Sequence, residues 1–196
     1  MSDSSQFYTR AELTTLGCSA VGRHVQVSRL ARFYGFRGVI GDHVRIDDFT
    51  VLKGRVEIGS FVHISGFCLF GGTGGTIHFG DFSTTAAYVG IYTASDDYTS
   101  PLLTNSVVPD DLKRGIAGDV WIGAGVVLGA HCVVLPHAVV RDHATIGALC
   151  IVNDEYSPGG VYVSGAGRPR CIGRRDVASV LAAQAEARRR FSEEQS

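Results

Sequence analysis

The chain has 196 residues, of which 25 are glycine and 45% are hydrophobic, and its formal net charge is −1. A chain of this length usually forms one domain with a sizeable core. The balanced charge gives no basic field that would attract nucleic acid, and no apolar run is long enough to insert into a membrane. Residues 1–6 are polar and lack the apolar segment of a signal peptide, which predicts a cytoplasmic protein.

A short helix is predicted near the N-terminus. Thr9-Arg-Ala-Glu12 has the form of a capping box, and Gly17 stands where a helix would end. We assign residues 1–17 to a helical cap on the element that follows.

From about residue 18 the sequence repeats every six residues, which is the sign of a solenoid. A large aliphatic or aromatic residue, in one case a threonine, recurs at this interval in several runs, and a small or β-branched residue follows many of them four positions later. A glycine-rich insert at 71–75 shifts the register. The recurring residues are Val21, Val27, Phe33, Ile40, Ile46, Leu52, Ile58, Ile64, Phe70, Phe79, Thr85, Ile91, Ile122, Leu128, Val134, Val140, Ile146 and Val152.

The six-residue period determines the expected fold. One unit fits a short strand and a turn, and three units close a triangular coil in which the large residue points inward. Glycine, asparagine or aspartate beside that residue tolerates the tight backbone of the turn. Stacked coils bury one another's faces. The repeat therefore predicts an all-β solenoid, a left-handed parallel β-helix, over residues 18–173.

The five cysteines of the chain lack the spacing of a metal or redox motif. Several stand where a small apolar side chain suits a core, which favours buried, reduced thiols over disulfides. The five are Cys18, Cys68, Cys132, Cys150 and Cys171.

The repeat is interrupted from about residue 92 to residue 120. A long excursion from a rigid coil is usually functional or disordered. The aromatic residues, the prolines and the charges of both signs in this stretch favour an ordered, extruded loop. We expect residues of the active site to lie in this loop.

Residues 174–196 are predicted to form a C-terminal helix and tail. Asp176 can cap this helix, and Gln184 interrupts its apolar face. Such a helix would protect the open end of the solenoid. The apolar face carries Val177, Val180, Leu181, Ala187 and Phe191.

The repeats, the loop and the restart at Val120-Trp-Ile-Gly123 resemble the hexapeptide-repeat acyltransferase superfamily. The resemblance is strongest to maltose and galactoside O-acetyltransferases, and among these to sugar O-acetyltransferases found with enzymes of bacterial surface polysaccharides, including lipopolysaccharide. It covers about residues 7–173. The segments that carry it are Phe7-Tyr-Thr-Arg-Ala-Glu-Leu13, Arg45-Ile-Asp-Asp-Phe49, Val62-His-Ile-Ser65, Tyr92-Thr-Ala-Ser-Asp-Asp-Tyr98 and Ile146-Gly-Ala-Leu-Cys-Ile-Val152.

This resemblance implies a homotrimer that binds acetyl-CoA in a cleft between neighbouring coils. It implies direct transfer of the acetyl group to a hydroxyl of a sugar, a nucleotide-sugar or a surface glycan, with no metal. Such a transfer needs a base for the hydroxyl proton, donors for the developing oxyanion and a groove for the CoA arm.

The base of the maltose and galactoside enzymes is a histidine at the start of the loop, and the matching position here holds Asp96. A carboxylate is a weak base for an alcohol, so another residue is expected to serve. Most of the other histidines have structural explanations or lie far along the coil. His24, His43 and His143 stand at turns, His78 stands on the outside of a strand, and His131 and His137 stand in the C-terminal coils.

His63 is the predicted general base. The segment His63-Ile-Ser-Gly-Phe67 overlays the stretch that faces the acceptor in galactoside acetyltransferases. The resemblance further suggests that Asp96 or Asp97 orients the imidazole or binds the acceptor, and that Ser65 and Tyr98 contact the acceptor.

The resemblance also suggests a CoA groove. Small residues would let the pantetheine arm approach the backbone, an indole would lie near the thioester, and arginines would pair with the phosphates. The segment Ser164-Gly-Ala-Gly-Arg-Pro-Arg170 resembles the family's terminal turn, but it lacks a proline at Gly167 and has one extra residue. The predicted contacts are Trp121, Ala124, Ala148, Asn153, Arg170 and Arg174.

Three alternative functions remain open from the sequence. An N-acetyltransferase acting on an amino sugar, free or nucleotide-linked, would need less help from a base, and the missing loop histidine keeps this alternative open. A non-catalytic hexapeptide scaffold would bind acetyl-CoA without turnover. A zinc enzyme like the γ-carbonic anhydrases would need three converging histidines, and His63, His78 and His131 lack the required close spacing.

Overall fold

The structure, a computed structural model, describes residues 6–165 and 168–193. The ends of the two predicted caps and two residues of the 164–170 turn lie outside the described residues. The helices are α1 (Arg10–Thr15), a 3₁₀ helix (Asp110–Leu112) and α2 (Val177–Glu193). The strands, in chain order, are β1 (Cys18–Val21), β2 (Gln26–Val27), β3 (Arg32–Ile40), β4 (Arg45–Ile46), β5 (Val51–Ile58), β6 (His63–Ile64), β7 (Leu69–Phe79), β8 (Thr84–Thr85), β9 (Gly90–Tyr92), β10 (Ala94–Asp96), β11 (Gly115–Ala117), β12 (Val120–Ile122), β13 (Val127–Leu128), β14 (Val133–Val134), β15 (Val139–Val140), β16 (Thr145–Ile146), β17 (Ile151–Val152), β18 (Glu155–Tyr156), β19 (Gly160–Val163) and β20 (Arg170–Arg174).

The strands stack as parallel rungs on three faces of a triangular prism. Face one contains β1, the second halves of β3, β5 and β7, and then β12, β15 and β18. Face two contains β2, β4, β6, β8, β13, β16 and β19, with β20 added in the antiparallel direction. Face three contains the first halves of β3, β5 and β7, followed by β9, β14 and β17. The left-handed parallel β-helix predicted from the repeat is confirmed.

The core is the column of inward side chains inside the prism. Nearly all of the residues recognised from the six-residue repeat are buried, and the small residues four positions later, such as Val44, Cys68 and Ala138, are buried beside them. Each methylene that is removed from water stabilises the fold by about 0.8 kcal/mol. The stack therefore derives its stability from contacts between successive coils.

The three edges of the prism differ in what covers them. Between faces one and two lies the helix edge, along which α2 packs, with Phe191 against His43 and Phe61. Between faces two and three lies the open edge (residues 47–50, 65–68, 86–89, 129–132 and 147–150). Between faces three and one lies the loop edge, from which the extruded loop leaves after β9.

Aromatic residues occupy the left-handed turn position at two of these edges. On the helix edge His24, His43, Phe61 and Phe82 have φ near +55° and stack at centroid distances of 4.6–4.8 Å. The open edge has an equivalent column, in which ring centroids 4.8–5.0 Å apart join Phe49, Phe67, Tyr88 and His131, all with φ near +60°. A left-handed non-glycine residue costs about 1–2 kcal/mol, which ring stacking worth about 0.5–1.5 kcal/mol per pair largely offsets. The stacking distance is the spacing between coils.

Both predicted helices are present. Thr9 caps α1, and the reciprocal contacts of the predicted capping box with Glu12 are formed. Asp176 caps α2 by accepting from the backbone N–H of Ser179 at 3.2 Å. No residue of α2 is buried, so this helix covers the edge with only part of one side.

The extruded loop is ordered at its base. Strands β10 and β11 pair in the antiparallel direction, and Gly118 donates to the carbonyl of Thr93 at 3.0 Å. Ala94 and Ala117 approach Gly74, so the base of the loop rests on the glycine-rich insert of β7.

The described part of the chain contains no helix long and apolar enough to cross a membrane. All five cysteines are free, and four of them are buried, as predicted. Cys171 on β20 is exposed.

Candidate active site

The outward side chains distinguish the three faces. The outward column of face three is apolar after Arg32, with Val51, Leu69, Gly90, Val133 and Ile151 in register. Face two instead carries Gln26, Arg45, His63 and Thr84 in its first four rungs. Face two therefore carries neighbouring polar side chains, while face three has this apolar column beside a second outward column that contains the exposed Lys53.

His63 lies on face two and contacts a carboxylate. Its Nε2 atom is 2.8 Å from Oδ2 of Asp47, and Oδ1 of Asp47 accepts from Nε of Arg45 at 2.7 Å. Partial burial disfavours the charged form of Asp47, but the hydrogen bonds from Arg45 and His63 outweigh it and hold its pKa below the usual range. The carboxylate is thus ionised at neutral pH and fixes the orientation of the imidazole.

The fixed imidazole has one nitrogen left for chemistry. When Nε2–H donates to Asp47, Nδ1 carries the lone pair, and no other residue of the described chain bonds to this atom. The side chain is 46% exposed, so an incoming substrate can reach it. A carboxylate that sets the tautomer of a histidine in this way is a common arrangement for a general base.

A cavity of about 630 Å³ adjoins this pair. It lies on the open edge, where the N-terminal segment around Phe7 runs beside Ser28. Its volume is within the usual range for small-molecule sites. Its lining residues are Gln6, Phe7, Ser28, Arg29, Leu30, Arg45, Asp47, Asp48, Phe49, Gly66 and Phe67.

The two aspartates of the loop differ in whether their carboxylates have hydrogen-bond partners. Oδ1 of Asp97 accepts from the hydroxyl of Thr99 at 2.7 Å and from its backbone N–H at 3.0 Å, and Oδ2 lies 3.5 Å from Arg114. The hydrogen bonds from Thr99 are the main cause that lowers the pKa of Asp97. The Asp96 carboxylate has no partner among the described residues and is exposed. Asp97 therefore has a structural role in the loop, and Asp96 is available to a ligand.

The predicted site residues do not come together within one chain. His63 and Ser65 belong to face two and the open edge, whereas Asp96, Asp97 and the exposed Tyr98 lie on the loop at the loop edge. The carboxylate that orients His63 is Asp47, and within the described residues neither Asp96 nor Asp97 contacts the imidazole. The loop leaves the prism at the opposite border of face three, which separates these groups.

The residues predicted to hold CoA are also distributed. Trp121 is on face one, where it stacks on His78 at 3.6 Å, and Asn153 is at the loop edge. Ala124 is at the helix edge, where its N–H donates to Asp142, and Ala148 is at the open edge. Arg170 and Arg174 are exposed on β20. A single straight ligand on one copy of the chain would not touch both alanines.

The structure adds Asp47 and Arg45 to the predicted residues. A signal for them was present in the sequence, because three six-residue units make an 18-residue coil that places residue 45 directly beside residue 63. The aromatic column of the open edge was also not predicted. Among the described residues, no group of three His, Cys, Asp or Glu side chains could hold a metal ion.

No protein-family model matches the chain. The chain does resemble known proteins, one in its sequence and another in its structure. The sequence is 32% identical over 148 residues to a dTDP-4-amino-4,6-dideoxy-D-glucose acyltransferase from Escherichia coli, which covers 74% of this chain and 77% of the relative. The structure resembles that of AntD, an N-acyltransferase from Bacillus cereus in complex with dTDP and 3-hydroxybutyryl-CoA. The TM-score is 0.84 and the identity 29%, over 95% of this chain and 98% of AntD.

A variant of AntD was solved in complex with dTDP-4-amino-4,6-dideoxyglucose and coenzyme A. This structure matches 93% of the chain and 98% of AntD, with a TM-score of 0.82 and 28% identity.

Proposed function

The chain belongs to the hexapeptide-repeat acyltransferases with a left-handed β-helix, and on this premise we propose that it transfers an acetyl group from acetyl-CoA to the amino group of a nucleotide-linked amino sugar. The relatives support this N-acyl alternative better than the O-acetylation of a hydroxyl that was the first prediction from the sequence. The observation that carries the proposal is the 32% identity to an acyltransferase of a dTDP-linked 4-amino sugar.

The loop carboxylate supports the same choice. A histidine at this position would serve an alcohol, which must lose its proton before it attacks. An amino sugar enters the site largely as a cationic ammonium, which an unpaired carboxylate such as Asp96 attracts and holds. The absence of the loop histidine is then a consequence of the acceptor's chemistry.

A second copy of the chain would complete the site. We infer that three copies pack their apolar faces three around a common axis, since the column of Val51, Leu69, Val133 and Ile151 is otherwise left partly in water. The open edge and the loop edge both flank face three. In a closed three-fold ring, the loop edge of each copy therefore meets the open edge of the next, which brings Asp96 of one copy toward His63 of its neighbour.

The same packing would form the predicted CoA groove between two neighbouring copies. Trp121 and Asn153 of one copy would border the cleft from the loop edge, and Ala148 of the next copy would border it from the open edge. Arg170 and Arg174 would meet the phosphates at the C-terminal end, and Ser65 and Tyr98 would contact the acceptor. Ala124 stands apart at the helix edge, so its assignment depends on the ligand bending around the coil.

The transfer can be written with the chain's own groups. Asp96 holds the ammonium, and Nδ1 of His63 accepts one of its protons to give the neutral amine. The amine nitrogen attacks the thioester carbonyl, the N–C bond forms and the C–S bond breaks. The second proton of the nitrogen goes to the departing sulfur, so the products are an amide and free CoA thiol.

Release of CoA thiol in the presence of different acceptors tests the proposal. We expect turnover with dTDP-4-amino-4,6-dideoxyglucose and an amide-linked product by mass spectrometry. The matched controls are dTDP-6-deoxyglucose, which has a hydroxyl at the same carbon, and the free sugars maltose and a galactoside. Faster acetylation of any hydroxyl acceptor would overturn the N-acyl assignment, and acetyl-CoA binding without turnover on any acceptor would support a scaffold. We infer a cytoplasmic role in supplying acylated sugars for bacterial surface polysaccharides.

A further inference from the structure

The two aromatic columns differ in how the chain covers them. On the helix edge Arg188 lies over Phe61 and Phe82 at 5.3 and 4.7 Å from the ring centroids, and Phe191 packs on Phe61. On the open edge Phe49 and Phe67 are each 50% exposed. Two large rings held in left-handed turns and half in water are an unusual surface for a chain that covers the equivalent rings elsewhere.

The cavity of about 630 Å³ begins at these two rings and extends along face two. Phe49 and Phe67 form one wall, with ring centroids 4.9 Å apart, and the segment of Gln6 and Phe7 forms the opposite wall. This segment is fixed by the N–H of Arg29, which donates to the carbonyl of Gln6 at 3.0 Å. Because Phe67 lies between Phe49 and Tyr88 in the column, the cavity is a built slot whose aromatic side presents ring edges.

Hydrogen-bonding groups in the slot are fixed in advance. Ser28 is buried and receives the N–H of Leu30 at 3.0 Å, while its hydroxyl donates to Oδ1 of Asp48 at 2.5 Å. Oδ2 of Asp48 has no partner among the described residues. An oriented carboxylate oxygen beside an aromatic wall is suited to accept from an N–H at the edge of a planar ring.

The positive charge in the slot is supplied by one arginine. Arg29 is already engaged, since both of its terminal nitrogens bond to Glu12 at 2.9 Å. Arg45 uses Nε for Asp47, and its two terminal nitrogens are without partners within the described residues. These two nitrogens form a fork that matches the oxygens of a phosphate.

We propose that this slot binds the nucleoside diphosphate of the acceptor, with a pyrimidine base against the exposed edges of the Phe67 and Phe49 rings, its ring N–H on Asp48 and the diphosphate on Arg45. The inference rests on the proposed function and adds the residues that would select the nucleotide. Asp47 joins the phosphate anchor to His63, since it bonds to both Arg45 and His63. The sugar that follows the diphosphate is thereby directed toward the imidazole.

Titration calorimetry with dTDP tests the slot without any acyl transfer. The variant Phe67→Leu removes the ring but keeps the backbone, because Leu149 already adopts the same turn at φ 61° in this column. The matched control is Phe61→Leu on the covered edge. We expect Phe67→Leu to weaken dTDP binding about fivefold, as loss of one edge-to-face aromatic contact does, and Phe61→Leu to leave it unchanged.

The variant Arg45→Gln tests the diphosphate contact separately from the contact with the base. It should weaken dTDP about tenfold while leaving the weaker binding of thymidine unchanged, and it should reduce the salt dependence of dTDP binding. Circular dichroism and light scattering check that each variant keeps its fold and assembly.

The outcomes separate the slot from the proposed function. If the wild type acylates the dTDP-amino sugar but Phe67→Leu and Arg45→Gln bind dTDP as tightly as it does, the slot is wrong and the function stands. If Phe67→Leu dissociates the oligomer and leaves dTDP affinity unchanged, the open edge serves only a second copy, and the inference is overturned. If the wild type neither binds dTDP nor acylates the sugar, the proposed function fails and the slot assignment fails with it.

Discussion

The Nε2 atom of His63 lies 2.8 Å from Oδ2 of Asp47, on the outward side of face two. Because Asp47 also bonds to Arg45, it is held in one position and in turn holds the imidazole. The sequence analysis assigned two roles, orienting the imidazole and binding the acceptor, to the same pair of loop aspartates, and this contact separates the two roles. In the proposed assembly Asp47 orients the base from the same chain, and Asp96 is left to bind the acceptor from the neighbouring copy.

Removing the base or its support should have graded effects. We expect His63→Ala to lower kcat about 100-fold, the usual contribution of a positioned general base, and Asp47→Asn to lower it about tenfold. Added imidazole should partly restore His63→Ala but should not restore Asp47→Asn. Steady-state kinetics with a fixed nucleotide sugar measures both. A His63→Ala enzyme with near wild-type turnover and an intact assembly would exclude this residue as the base.

The two loop aspartates form a matched pair for mutation. Asp96→Asn should raise KM for the amino sugar about tenfold, since it removes the charge that attracts the ammonium. Asp97→Asn should leave KM for the amino sugar nearly unchanged and instead loosen the loop, because Asp97 bonds to Thr99 and Arg114. Limited proteolysis of the loop reports the second effect. The assignment is contradicted if Asp96→Asn behaves as the wild type and Asp97→Asn loses the acceptor.

The apolar face three predicts where a charge breaks the assembly. Ile151→Arg should convert the proposed trimer to monomers, because a desolvated guanidinium in the centre of an apolar contact has no partner. Val39→Arg on face one is the control, since this residue is also partly exposed but lies in a polar column with Glu57. Light scattering distinguishes the two. A monomeric wild type, or a trimer that tolerates arginine at 151, would refute this packing.

The cysteines predict a pattern of chemical modification. Burial raises the pKa of the Cys18 and Cys132 thiols to about 11, and it also raises the pKa of Cys68 and Cys150, because a thiolate is poorly solvated in the core. At pH 8 only the exposed Cys171 should react quickly with a thiol reagent. All five should react after unfolding. Cys171→Ser should abolish the fast phase, and rapid loss of several thiols in the native protein would contradict the described core.

The fold could be predicted from the sequence because the inward residues obey one period. Ile40, Ile64 and Ile146 were recognised as core residues from spacing alone, and all three are buried. The period also implies the contact of residue 63 with residue 45 in the preceding coil, which depends only on the 18-residue turn.

Other features depend on choices that the period leaves open. The chain's exposed C-terminal helix has no buried residue to fix its position, so its place along the helix edge follows from contacts such as Arg188 with Phe82. Phenylalanine rarely adopts a left-handed turn, so neither sequence propensity nor composition indicates the column that begins at Phe49. The separation of Asp96 from His63 depends on the edge from which the loop leaves, and the six-residue period does not indicate that edge.

Complementation between two impaired chains, assayed at an amino-sugar concentration far below KM, tests the two-copy site most directly. His63→Ala and Asp96→Asn chains are co-expressed with different tags, and mixed trimers are purified through both tags and assayed with the dTDP-linked amino sugar. With one group from each of two neighbouring copies, every mixed trimer has one site in which both groups are intact, about a third of its sites, so activity should rise well above that of either parent. Activity no higher than that of the parents would show that both groups act within one chain, and it would contradict the assembly proposed here.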